Sequence, residues 1–199
     1  MLGGYDHPHL LTHQSGVPHL SDMWESGKLK LAFRPGDGVL YSTQGFGVLG
    51  DVMEEITGQS YPQMVKTYIG EPIGSTSFDA SWFFSAPGGL VKSTIEDMAR
   101  FAIGVMDGTY VSRDLLDEVA FQRYAGDRFG GICLGWYCNN IDSPDLTVFH
   151  AGSNGRPRAY LRIQPHKGLA VAILGMDMYE EGKQDFVDLS LELMGLLEE

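Results

Sequence analysis

Histidines are concentrated near the start of the chain. The stretch HPHLLTHQSGVPH, residues 7–19, holds four of the six histidines: His7, His9, His13 and His19. Imidazole nitrogens bind metals, exchange protons and form hydrogen bonds, so the cluster could belong to a metal centre or to a catalytic site. A metal centre is the weaker interpretation, because no acidic residue stands nearby at a recognisable ligand spacing and turn residues interrupt the stretch. We therefore expect no metal here.

A second candidate for chemistry is GFGVLG, residues 45–50, a literal G-x-G-x-x-G. This pattern binds dinucleotide phosphates when it joins a strand to a helix within a βαβ unit. Here the glycines fall inside a predicted helix, and another helix follows in place of a parallel strand. We interpret them as small residues that allow close helix packing, and we expect no cofactor.

The composition restricts the possible partners. The 199 residues include 14 basic and 26 acidic side chains, a net charge of −12. This balance disfavours phosphate backbones and anionic membranes, so we expect no nucleic-acid partner. No apolar run approaches 18 residues, which argues against a membrane span. The N-terminus lacks the basic and apolar regions of a signal peptide. The compartment stays undetermined, with the cytoplasm as the default.

The two cysteines, Cys133 and Cys138, are five residues apart. This spacing fits neither a C-x-x-C redox pair nor a zinc site. Residues five apart on one strand point to opposite faces. We therefore expect two buried thiols and no disulfide between them.

Helices are predicted in the first two thirds of the chain. The clearest begins at Ser42 or Thr43, keeps apolar residues on one face, and ends at Thr57-Gly58, where glycine can adopt the left-handed cap. The others are expected at residues 60–69, 94–106 and 113–123.

Strand patterns dominate the last third. They occur at GGICLGWYC, LTVFHAG, RAYLRIQP and GLAVAILGMD, with connections short enough for antiparallel neighbours. Three or four strands are expected, and a periodic helix at about residues 180–197 would cover the sheet. We predict an α/β (α+β) fold in a single domain, residues 1–199. Its mainly helical part is 1–127, and an antiparallel sheet with a covering helix occupies 128–199.

Five segments, in order, resemble motifs of the serine β-lactamase-related hydrolases. This family includes class C β-lactamases, penicillin-binding-protein-like DD-peptidases and related esterases. LLTHQSGVP resembles their LLTHTSGLP loop, and FRPGDGVLYSTQGFGVLGDVMEEITGQSY resembles the segment that contains their Y-S-N motif. EPIGSTSF, APGGLVKSTIEDMARF and FHAGSNGRPRAYLRIQP resemble three later motifs, the last of them H-x-G. The resemblance covers residues 9 to about 175 and implies the β-lactamase/transpeptidase-like fold.

The resemblance also implies acyl transfer through a serine ester. Tyr41 would be the acid/base tyrosine, and Thr43 replaces the family's usual asparagine. His150 and Gly152 would form the H-x-G motif. The backbone N–H of Ser153 would stabilise the oxyanion.

Further residues would line this site. The resemblance places His13 in the loop that shapes it, for packing and hydrogen bonding, together with His9. Ser42 and Asn154 would also line it, while the other two histidines of the stretch have no assigned role. The expected ligand is a small ester, amide or β-lactam-like molecule. The H-x-G form of the third motif favours an esterase or peptidase over a true β-lactamase.

The family's nucleophile motif, S-x-x-K, is absent, because no serine or threonine has a lysine three positions later. In the family this motif precedes the LLTH loop, so we expect the N-terminal strands and the nucleophile helix to be missing. Three hypotheses remain: a truncated hydrolase with weak or no activity, a non-catalytic binding or scaffold module, or a relocated nucleophile at Ser153 or Ser42. Apolar surface left by the missing helix also predicts a homo-oligomer.

Overall fold

The computed structural model describes residues 7–19, 24–25, 28–81, 87–176 and 186–198. The helices are α1 (His7–Leu11), α2 (Thr43–Thr57), α3 (Tyr61–Met64, continued by Val65–Gly70 and Glu71–Ile73), α4 (Ile95–Asp107), α5 (Arg113–Leu115, continued by Leu116–Ala120) and α6 (Phe186–Glu198). The strands are β1 (Trp24–Glu25), β2 (Lys28–Leu29), β3 (Ala125–Asp127), β4 (Gly130–Ile132), β5 (Tyr137–Asn139), β6 (Thr147–Ser153), β7 (Pro157–Gln164) and β8 (Leu169–Met176).

Helix α2 confirms the predicted boundaries. The Ser42 side chain accepts a hydrogen bond from the Gly45 N–H, and Gly58 closes the helix in the left-handed conformation. Gly45 and Gly50 are buried within the helix, and a Cβ at Gly50 would collide with the Pro87 ring. Gly50 therefore serves close packing, as expected for the motif, whereas a Cβ at Gly45 or Gly47 would make only ordinary contacts.

The sheet has six antiparallel strands in the order β3-β4-β5-β6-β7-β8. The expectation of three or four strands was therefore too low. GGICLGWYC folds as two strands around a turn. Residues 125–127 form a further short strand, whose sequence Ala-Gly-Asp carries no strand pattern. The histidine stretch, expected to be a loop, begins with the short helix α1.

The core lies between α4 and one face of the sheet. Ala102 of α4 packs with Val148 and Ile163 of the central strands, and all three are buried. Because side chains alternate along a strand, the opposite face carries Arg162, whose Nε donates to Ser190 Oγ of α6 at 3.1 Å. Helices thus cover both faces of an antiparallel sheet, as predicted. The expected start of the last helix, residues 180–185, lies outside the described residues.

The expectation of two free thiols was wrong, because Cys133 and Cys138 form a disulfide. The prediction placed both residues on one strand. In the structure the chain reverses at residues 134–136, so the cysteines lie on opposite arms of the β4–β5 hairpin with their Cα atoms 6.3 Å apart. Both are fully buried in the core. The disulfide therefore closes the turn of this hairpin.

No helix among the described segments combines the length and the apolar character needed to cross a bilayer.

Candidate active site

Tyr41 is held at the N-terminal end of α2. The neighbouring Ser42 is buried, and its hydroxyl donates to the Pro18 carbonyl at 3.1 Å while it accepts from the Gly45 N–H at 2.9 Å. These bonds fix the backbone on which Tyr41 stands. Partial burial raises the pKa of the Tyr41 phenol, so the side chain is a neutral hydroxyl at neutral pH.

His13 connects the histidine stretch to this tyrosine. Its backbone adopts a left-handed conformation, with φ +57°, and its side chain is only 5% exposed. The Ser42 N–H donates to His13 Nδ1 at 3.1 Å, and the His13 and Tyr41 ring centroids are 4.3 Å apart. Because Nδ1 accepts, the ring proton must be on Nε2. His13 therefore presents an N–H donor.

The charge state of His13 is set by its surroundings. Burial, reinforced by the nearby His150, lowers the pKa of His13 to about 4, while the Asp127 carboxylate opposes this effect. The imidazole is consequently neutral at pH 7.

His150, on β6, has the opposite tautomer. Its Nδ1 lies 2.9 Å from the Ala151 carbonyl oxygen, which can only accept, so Nδ1 carries the proton. Burial lowers the pKa of His150 as well. The Nε2 lone pair of the neutral ring is then available as an acceptor or base. Two neutral histidines thus offer one donor and one acceptor.

Both histidines face one small pocket. It is lined by Leu11, His13, Ile132, Gly135, Trp136, Tyr137 and His150. Tyr137 Oη donates to Asp127 Oδ2 at 3.1 Å, and burial together with the Asp127 charge raises the pKa of Tyr137. The Tyr137 and His150 rings are 5.9 Å apart. The pocket wall therefore combines neutral proton donors and acceptors with apolar side chains.

Tyr137 and Asp127 were missed in the sequence. Strand pairing brings them to the site, since Tyr137 pairs with Phe149 beside the H-x-G motif. An aromatic residue in the strand before that motif was the only available signal.

Gly152 and Ser153 occupy the exposed end of β6, and Asn154 follows the strand directly. His150 and Gly152 share one strand face. Ser153 is roughly 10 Å along the strand from His150 at about 3.3 Å per residue. Its hydroxyl accepts from Arg158 Nη1 at 2.5 Å, and no contact within the described chain joins it to Tyr41 or His13. The structure therefore places His13 and His150 in the pocket wall and Tyr41 against the His13 ring, whereas Ser153 is not among the residues that line the pocket.

Thr43 and His19 lie on the outer side of Tyr41. Thr43 Oγ1 is 3.4 Å from His19 Nδ1, and the His19 and Tyr41 rings are 5.6 Å apart. His19, which had no role in the sequence analysis, thus contacts the predicted site. The side chain of His7 lies outside the described residues. Among the side chains that are described, no group of three or more His, Cys, Asp or Glu is arranged to bind a metal.

This geometry can hold a polar ligand and move protons. A neutral imidazole N–H and the Tyr41 phenol can donate to a carbonyl oxygen, and the opposing imidazole can accept a proton. The Tyr137 hydroxyl already donates to Asp127. The Ser42 hydroxyl already donates to the Pro18 carbonyl and accepts from the Gly45 N–H in the helix cap.

Comparison with known proteins agrees with this architecture. A D-aminopeptidase from Gluconobacter oxydans (strain 621H) is 27% identical over 145 residues, which are 67% of this chain and 25% of the relative. The chain thus spans about a quarter of the length of that relative.

Solved structures share the fold. A β-lactamase from Mycobacterium bovis superposes with a TM-score of 0.74 and 25% identity, over 98% of this chain and 72% of that one. The penicillin-binding protein homologue from Pyrococcus abyssi gives 0.74 and 22%, over 95% and 55%. The D-amino acid amidase from Ochrobactrum anthropi gives 0.74 and 16%, over 97% and 72%. The family profile described as Beta-lactamase matches residues 8–191, and the chain belongs to this family.

Proposed function

We propose that this β-lactamase-family hydrolase scaffold binds small amides or esters in the pocket between His13, His150 and Tyr137. In acyl transfer as the family resemblance implies it, Tyr41 would exchange the proton, and the backbone N–H of Ser153 would stabilise the oxyanion of a ligand that extends from this pocket along β6. The observation that carries this proposal is the pair of opposed neutral tautomers, because one ring can donate to a ligand carbonyl while the other accepts.

Amides of amino acids are the substrate class that we propose. The curated relative is a D-aminopeptidase, and a D-amino acid amidase shares the fold. The pocket is small, and its wall of neutral imidazoles with Trp136 and Tyr137 is chemically suited to an uncharged amide group next to an aromatic side chain. The H-x-G form of the third motif, at His150 and Gly152, fits the same peptidase or esterase class.

Activity of this chain alone should be weak or nil. Serine acyl transfer needs an activated hydroxyl, and the sequence offers no S-x-x-K. The Ser42 hydroxyl is buried in its capping role, and Ser153 contacts Arg158, which is a cation and no base.

We therefore expect no covalent adduct when the folded protein is incubated with a fluorophosphonate probe or, separately, with a penicillin. Intact-protein mass spectrometry is the measurement, with circular dichroism to establish folding. A stoichiometric adduct would contradict the expectation, and peptide mapping would then identify Ser153, Ser42 or another residue as the nucleophile.

The second candidate function is a non-catalytic binding or scaffold module of the same fold. The absence of S-x-x-K favours it, because binding needs only the pocket. It predicts ligand binding with no turnover at any protein concentration, whereas a weak hydrolase would release ammonia from D-phenylalanine amide in proportion to enzyme.

Self-association is also part of the proposal, through the outer edge of β8. In the described part of the sheet, β8 pairs only with β7, and its eight residues include no charge or proline that would protect an edge. Leu174 is 38% and Met176 57% exposed. Two copies could pair these strands antiparallel about a twofold axis. The Pyrococcus abyssi homologue is described as octameric.

Light scattering after size exclusion should consequently give a dimer or larger assembly. Leu174→Lys should shift it to monomer, because an edge lysine opposes strand pairing. Leu115→Lys is the matched control, at a leucine on α5 that is 50% exposed. It should leave the assembly state unchanged. A monomeric wild type would refute the proposed interface.

A further inference from the structure

Asp127 accepts a hydrogen bond from Tyr137, a residue of the pocket wall. It is the last residue of β3, and its Oδ1 accepts from the Phe129 N–H at 2.8 Å. Its Oδ2 accepts from Tyr137 Oη at 3.1 Å. Tyr137 lines the pocket together with His13 and His150. The carboxylate is thus oriented by two donors and lies beside the side chains that would hold a ligand.

The negative charge of Asp127 reaches the pocket. It adds to the effect of burial in raising the pKa of Tyr137, and it partly offsets the effect of burial in lowering the pKa of His13. These two residues come from different elements and line the same pocket. The Asp127 side chain is exposed, and none of the ion pairs found among the described residues includes it. The neighbouring Arg128 guanidinium lies over the Phe129 ring, 4.6 Å from its centroid.

The chemistry of the site is therefore asymmetric. The two neutral imidazoles of the pocket wall suit an uncharged carbonyl or amide. Asp127, bonded to Tyr137 of the same wall, is an exposed carboxylate with remaining acceptor capacity, which suits a cationic donor. An amino-acid amide carries these two groups side by side, since its carbonyl and its ammonium are attached to the same Cα.

We propose that Asp127 binds the α-ammonium group of an amino-acid amide or peptide, so that the pocket selects ligands with a free amino terminus. This inference rests on the proposed function, because it assigns a role to Asp127 in the same pocket. An N-acylated ligand would lose the ion pair and would leave the oriented carboxylate without a cationic partner.

Isothermal titration calorimetry at pH 7 tests the proposal with D-phenylalanine amide and N-acetyl-D-phenylalanine amide. We expect the wild type to bind the free amine at least about tenfold more tightly than the N-acetyl ligand. A charge-assisted hydrogen bond contributes enough binding free energy for a ratio of this size. Asp127→Asn should abolish this preference while leaving the affinity for the N-acetyl ligand within about twofold, because the asparagine oxygen can accept from the Phe129 N–H and its amide N–H can donate to the Tyr137 hydroxyl. Asp114→Asn, an equal charge change at an exposed residue of α5, is the control and should keep the preference.

The outcomes separate the two proposals. Equal binding of both ligands by the wild type, or an unchanged preference in Asp127→Asn, would overturn the role of Asp127 and leave the proposed pocket intact. Binding of neither ligand by folded wild-type protein would overturn the proposed function, and the role of Asp127 with it.

Discussion

Asp97→Ala is expected to lower the melting temperature by about 10 °C. The reason is that the substitution removes several buried hydrogen bonds at once, which is a large loss for a chain of this length. Asp97 is only 3% exposed. Its Oδ2 accepts from the Ser75 and Ser77 hydroxyls, each at 2.6 Å, and its Oδ1 from Arg100. This carboxylate therefore links residues 75–77 to α4 through hydrogen bonds. Thermal unfolding followed by circular dichroism measures the effect.

The control for Asp97 is its exposed neighbour Glu96 in the same helical turn, where alanine should change the melting temperature by less than about 2 °C. Hydrogen bonds from Ser75 and Ser77 hold the pKa of Asp97 well below its usual value of 3.8. The stabilisation is therefore present above about pH 4 and is lost as the pH falls further. The difference between Asp97→Ala and wild type should shrink in acid. A difference below about 2 °C at pH 7 would contradict the anchoring role.

His13→Ala is expected to weaken the binding of D-phenylalanine amide at least about 30-fold, since it removes a ligand donor and frees the Tyr41 loop. It should also lower the melting temperature, because the Ser42 N–H loses its acceptor. His13→Asn separates the two effects. Asparagine tolerates a positive φ and can accept from Ser42, so the fold should persist while binding is lost.

The pH dependence of binding follows from the same histidine. Because the pKa of His13 is lowered from 6.5 to about 4, the neutral ring persists through the range between these values. Binding of N-acetyl-D-phenylalanine amide, which has no amine to titrate, should therefore be constant from pH 8 to about 5 and fall near pH 4, where His13 becomes protonated. Stability behaves differently: the unfolded chain takes up the proton first, so His13 costs stability progressively as the pH falls below 6.5. Calorimetry showing a midpoint near 6.5 for binding would contradict the buried, neutral state.

Local signals made the helices predictable. Ser42 and Gly58 determine both ends of α2 by chemistry that lies within a few residues, and Thr94 does the same for the start of α4. The strand patterns were equally visible. The resemblance of residues 41–43 to the family's Y-S-N motif was enough to predict Tyr41 directly before α2.

Pairing across the sheet was what the sequence could not supply. The Cys133–Cys138 disulfide depends on a hairpin turn inside an apparently continuous strand. The approach of Asp127 to Tyr137 likewise depends on the register of β3, β4 and β5. His13 was predicted to shape the site, but its tautomer follows from one hydrogen bond to a residue 29 positions away. Such contacts are non-local, so no pattern along the chain encodes them directly.

The histidine ring signals in a two-dimensional NMR spectrum test the central claim most directly. D-phenylalanine amide would be titrated into the folded protein. The account predicts saturable shifts of the His13 and His150 rings, while His166, which is paired with Asp117 outside the pocket, stays unchanged. Unmoved signals of His13 and His150 at saturating ligand, or shifts confined to His166, would contradict the assignment of this pocket as the ligand site.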